Sequence, residues 1–115
     1  MKYLLTYTGA PDAPPPGPET LAKLGAFVER MQASGVLILT GGLVRPSRGI
    51  QLVCEGGKAS VVDGPYAETR EVIDGFALVE VASQEEAVAQ AREFMEIAGD
   101  GTGEILRVFD PGPPA

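Results

Sequence analysis

Gly75-Phe76-Ala77-Leu78-Val79-Glu80-Val81-Ala82 runs directly into Ser83-Gln84-Glu85-Glu86, and this junction sets the architecture of the chain. The first eight residues read as a strand, with Phe76, Leu78, Glu80 and Ala82 on one side and Ala77, Val79 and Val81 on the other. Ser83 to Glu86 has the form of a capping box: the Ser83 hydroxyl accepts from the Glu86 amide, and the Glu86 carboxylate returns to the amide of Ser83. A helix follows. Ala87, Val88, Ala91, Phe94, Met95 and Ala98 form its apolar face, and Gly99 ends it. Glu104 to Phe109 then supplies a last strand, completing a β-α-β half.

The N-terminal part has the same order. Lys2 to Thr8 reads as a strand bounded by Gly9 and a proline-rich loop, which holds five of the ten prolines between Pro11 and Pro18. Pro18 suits the first turn of a helix, Leu21, Leu24, Phe27, Val28 and Met31 recur at helical spacing, and Gly35 supplies the stop. Val36 to Thr40 is an apolar run ending in Gly41-Gly42, the pattern of a buried strand with a tight exit. Between the halves, Ile50 to Cys54 and Lys58 to Val62 flank Glu55-Gly56-Gly57 as a hairpin.

The expected fold is therefore α+β: a ferredoxin-like βαββαβ order with an inserted β-hairpin, forming an antiparallel sheet with two helices on one face. The second sheet face has no helix to cover it. A homodimer through that open sheet face, a dimeric α/β-barrel-like assembly, is the simplest closure. Residues 1–110 are expected to form a single domain, with a Pro-rich C-terminal tail over 111–115.

Composition removes whole classes of chemistry. With no histidine and one cysteine, Cys54, the 115 residues provide no Cys/His zinc site, no Ser-His-Asp or Cys-His triad and no imidazole base. Sixteen acidic residues against nine basic ones give a net charge of −7, with no basic run. Nucleic acid and anionic membranes are thus not expected partners. No stretch approaches the ~18 apolar residues of a membrane span, and polar Thr6 and Thr8 interrupt the apolar start, so a cytoplasmic protein is expected. The lone Cys54, on a predicted strand with no adjacent cation, reads as a small core residue.

One segment has concentrated chemical character. Asp63-Gly64-Pro65-Tyr66-Ala67-Glu68-Thr69-Arg70-Glu71-Val72-Ile73-Asp74-Gly75-Phe76 places five charged side chains, one tyrosine and two glycines between two strands. Asp63-Gly64-Pro65-Tyr66 suits a tight turn that would carry Asp63, Tyr66, Glu68 and Arg70 to the rim of a cleft.

Asp63-Gly64-Pro65-Tyr66-Ala67-Glu68-Thr69-Arg70-Glu71, followed by Asp74-Gly75-Phe76, resembles the hallmark of the YCII-related proteins of the DGPF type, with Tyr66 in place of the usual phenylalanine. Met1-Lys2-Tyr3-Leu4-Leu5, Gly41-Gly42-Leu43 and Glu104-Ile105-Leu106-Arg107-Val108 fit the same outline, so the resemblance spans nearly the whole chain. It implies a ferredoxin-like α+β fold and a dimer. In some relatives a histidine and aspartate pair is the proposed catalytic site, and one member acts as a dehydrochlorinase through such a pair. This chain has no histidine, so neither the pair nor that activity carries over.

Each residue of the segment has a structural reading beside the functional one. The Asp63 carboxylate either caps its own turn or serves as a ligand-binding group or general base, for which Glu68 or Asp74 would raise its pKa as a neighbouring carboxylate. Arg70 either pairs with Glu68 or Glu71, or offers a bidentate fork to an anionic or carbonyl ligand. Tyr66 reads as packed aromatic surface, since the usual phenylalanine has no hydroxyl. Arg45 and Arg48 around Pro46 either close over the same cleft or, the stronger reading, are cations of a solvated loop. The spacing of Asp63, Glu68, Glu71 and Asp74 matches no calcium loop, so no metal and no cofactor are expected.

Besides a structural or partner-binding protein acting through its sheet face or edge, two functions remain. The first is a dimeric small-molecule-binding or regulatory module whose cleft, at the Asp63–Tyr66 loop, takes a small polar or anionic ligand through Asp63, Tyr66, Glu68 and Arg70. The second is a cofactor-free enzyme, a lyase, isomerase or monooxygenase-like activity, with Asp63 or Glu68 as candidate base and Arg70 polarising a carbonyl.

Overall fold

The computed structural model describes residues 1–43, 50–62 and 73–109. The elements follow in the order β1 (Lys2–Gly9), α1 (Pro18–Ala33), β2 (Leu37–Gly42), β3 (Gln51–Glu55), β4 (Lys58–Val62), β5 (Gly75–Glu80), α2 (Gln84–Ala98) and β6 (Gly101–Arg107). Four strands make one antiparallel sheet in the order β2-β5-β1-β6, while β3 and β4 pair with each other. This is the expected ferredoxin-like arrangement with its inserted hairpin.

Local chemistry explains the element ends. Gly17 precedes the first turn of α1 in extended conformation, and Pro18 occupies that turn, where a missing amide costs no helical bond. At α2 the Ser83 hydroxyl accepts from the Glu86 amide at 3.2 Å. The reciprocal arm differs from the expected box: Glu86 Oε2 accepts from the amide of Ala82, at 2.7 Å, one residue before Ser83. The longer reach ties the helix start to the segment leaving β5, and it still satisfies an otherwise orphaned donor. In the hairpin, Gly56 and Gly57 both take positive φ, 58° and 81°, the two-residue turn that matches strand twist.

The helices cover one face of the sheet. Tyr3, Val79, Val81 and Ala87 form a buried cluster, with Leu5, Val36, Leu37, Ala77 and Ile105 packed against it, so alternate residues of β1, β5 and β6 point to the helical layer. α1 contributes buried Phe27 and Met31. The opposite face carries a leucine row. Leu39 of β2 pairs with Leu78 of β5, Leu78 with Leu4 of β1, and Leu4 with Leu106 of β6. Leu39 and Leu106, at the two edges, are 56% and 46% exposed.

Three expectations are corrected. β2 is an edge strand, and Ile38 and Leu39 are exposed; of the Val36–Thr40 run, Val36 and Leu37 pack half-buried against the core, while Leu39 serves the open face. A register shift between Leu37 and Leu39 moves one residue out of the ladder and turns Leu39 onto the face of Leu78. Cys54 is exposed, because it lies on the hairpin and not in the main sheet. β6 begins at Gly101 and ends at Arg107, earlier than expected, since Gly101, Thr102 and Gly103 complete the ladder opposite Gly9, Thr8 and Tyr7. The glycine exit of β2 has the anticipated close approach: a Cβ on Gly41 would lie 3.0 Å from the Phe76 ring.

Candidate functional site

The helical layer meets the sheet closely at the Tyr3–Val79–Ala87 cluster. Next to this cluster, with Val79 on its wall, the layers part around a half-open slot of about 1870 Å³. Leu5, Phe27, Leu37, Ala91, Phe94 and Ile105 supply apolar walls, and Pro14, Pro15 and Pro16 line it from the loop before α1. Aromatic rings meet at this end. Tyr7 meets Phe94 edge-on with centroids 5.4 Å apart, and Phe94 lies 6.3 Å from Phe27. Outside them the Arg30 guanidinium sits 5.5 Å from the Phe27 ring centre and pairs with Glu93 across the two helices.

Two polar side chains at the open end are engaged with the main chain. The Tyr7 hydroxyl lies 3.1 Å from the carbonyl oxygens of both Gly99 and Asp100 and donates to that pair, anchoring the exit of α2. Asp74 Oδ2 accepts from the Gly9 amide at 2.7 Å. The Asp74 amide donates to Tyr7, and its carbonyl accepts from Leu43, both at 2.8 Å. Asp74 thus ties together the end of β1, the exit of β2 and the entry to β5. This position sits at the rim of the slot, where Asp74, Gly75 and Phe76 all line it.

Of the sequence-predicted site, Asp63, Tyr66, Glu68 and Arg70 lie outside the described residues, as do Glu71, Arg45, Pro46 and Arg48. The end of the same segment, Asp74-Gly75-Phe76, is brought to the slot. Among the described residues no three Cys, Asp or Glu side chains gather in a way that would hold a metal ion. No helix among them is long and apolar enough to cross a membrane.

Gln90 is the residue that sequence reasoning missed. It reads as one more polar side chain on a helix rich in them, yet its Oε1 is buried, and the residue lines the slot. The available signal was its spacing, three residues after Ala87 and four before Phe94, which places it on the inward stripe.

Comparison with known proteins agrees with this architecture. The YCII-related domain matches residues 1–110. An uncharacterized protein of Rhizobium meliloti (strain 1021) is 33% identical over 93 residues, covering 77% of this chain and 74% of its own length. With the motif, the strand order and a match over nearly the full length in agreement, the chain belongs to the YCII-related domain family.

Proposed function

We propose that the protein is a small-molecule-binding or regulatory module, whose site is the slot between helices and sheet, with Asp63, Tyr66, Glu68 and Arg70 serving as polar groups at its mouth. The observation that carries this reading is the slot itself, an apolar space walled by Phe27, Phe94 and Leu37 and bordered by the last residues of the charged segment. Binding is favoured over turnover because the Tyr7 hydroxyl and the Asp74 carboxylate hold main-chain groups in place. A group so engaged is a poor shuttle for a substrate proton.

The test is fluorescence titration with 1-anilinonaphthalene-8-sulfonate, an anionic aromatic probe. Saturable binding at one probe per chain is expected, weakened about tenfold by Ala91→Leu, which extends a side chain into the slot. Arg70→Ala should also bind the anion more weakly, because this reading makes Arg70 a cation of the site in a chain of net charge −7. Unsaturable binding, or an affinity indifferent to Ala91→Leu in a protein that melts normally, rejects the slot as the site.

The same reading includes a homodimer through the open sheet face. The Leu39–Leu78–Leu4–Leu106 row favours it, since apolar residues aligned across a whole sheet face gain by leaving water. Sedimentation at micromolar concentration should give twice the 12.0 kDa chain mass, and Leu78→Glu should halve it. A monomeric parent protein overturns the dimer.

A further inference from the structure

In the hairpin Leu52 stands opposite Val61 and Cys54 opposite Ala59, and strand alternation puts these four side chains on one face. That face carries no charge and is open to water: Leu52 is 66% and Val61 58% exposed, and Cys54 and Ala59 are exposed with them. The opposite face mixes Val53 and Val62 with Gln51, Glu55, Lys58 and Ser60, and its Gln51 and Val53 are half-buried. Neither β3 nor β4 pairs with a strand of the main sheet. Two strands alone are marginal in water and persist by packing an apolar face on something else. A charge-free apolar face with aligned side chains is the kind of surface that forms the centre of an interface.

We infer that each chain of the homodimer lays this hairpin face on the second copy, beside the paired sheets, so that Leu52, Cys54, Ala59 and Val61 are buried between chains. The inference rests on the dimer reading above and adds a second contact to it. Area argues for a second copy as the occupant. The four strands of the main sheet, six to eight residues long, present a face of about 400 Å² per chain, or about 800 Å² for a pair. Stable interfaces bury ~1,200–2,000 Å². The apolar part of the sheet face is also narrow, since Lys2 and Glu80 flank the Leu4 row on one side and Glu104 on the other. A hairpin face of two five-residue strands adds about 160 Å² per chain, and both hairpins with the surface they cover bring the total to about 1,400 Å². A two-fold axis makes the contact twice, so the hairpins of both chains are covered by one association.

Cys54 is the single cysteine of the chain, so labelling by N-ethylmaleimide reads this face directly. In the parent at a concentration where it sediments as a dimer, the thiol should react about tenfold more slowly than after dilution to monomer, and about tenfold more slowly than in the monomeric Leu78→Glu variant. Val61→Lys puts a charge into the buried contact and should raise the dimer dissociation constant about tenfold. Placed in the Leu78→Glu background, the same change should leave the melting temperature where it was, because Val61 is exposed in the single chain. A thiol that reacts equally fast in dimer and monomer, a thiol protected in the monomer as well, or a Val61→Lys dimer as tight as the parent overturns the hairpin contact and leaves the dimer through the sheets standing. A parent that sediments as a monomer at every concentration removes the dimer and this contact with it.

Discussion

At one end of the helix–sheet interface, Tyr3 and Val79 are each 3% exposed and Ala87 is sealed completely; at the other, Tyr7, Phe94 and Met95 stay half-buried around a cavity of about 1870 Å³. The same two layers form both ends. At the closed end α2 starts immediately after β5, two side-chain bonds fix its first turn, and a methyl at Ala87 lets the layers approach. At the open end Phe27, Phe94 and Tyr7 stand between the layers, and a proline-lined loop replaces a short connection. Side-chain size next to the sheet thus decides where the domain has a core and where it has a site.

The strongest way to break this contrast is truncation at each end. Tyr3→Ala should lower the unfolding free energy by about 3–5 kcal/mol in urea titrations, the range for emptying a well-packed aromatic site. Phe94→Ala should cost less than half of that, because a half-buried ring bordering open space leaves little new cavity. Equal losses at the two positions would mean that the open end is packed as tightly as the closed one.

A smaller effect sharpens the contrast. Asp74→Ala removes the acceptor of the Gly9 amide and should cost about 1.5–3 kcal/mol, the range for hydrogen bonds to charged groups. Its signature is local: amide hydrogen exchange at Gly9 should accelerate, while Val79 and Val81 at the closed end keep their protection. Uniform acceleration across the sheet would show instead that Asp74 supports the entire fold.

Much of this was legible in the residues. Ser83 and Glu86 announce the start of α2, Gly56-Gly57 announces the hairpin, and the alternation of Phe76 to Val81 announces a two-faced strand, because caps, turns and strand periodicity act over a few neighbouring residues. The misreadings have a common cause. Ile38 and Leu39 look buried and Cys54 looks like core only if their strands are central, and lateral position in a sheet is a relation between distant segments. Gly101 to Gly103 do not look like strand residues; they become so because they pair with the main chain of Gly9, Thr8 and Tyr7 at the end of β1. Of the candidate site, the charged segment was visible through its density of side chains, while Gln90 was hidden by its ordinary polarity.

The sequence by itself determined the order of elements, the fold class, the family and the exclusion of imidazole and Cys/His metal chemistry, since these follow from local pattern, motif and residue inventory. Only the tertiary structure decided that four leucines align across the open face, that Asp74 clamps three strand ends and that an acceptor lies buried beside an apolar slot. Each of these depends on register and on layer separation, which are set by contacts between residues far apart in the chain.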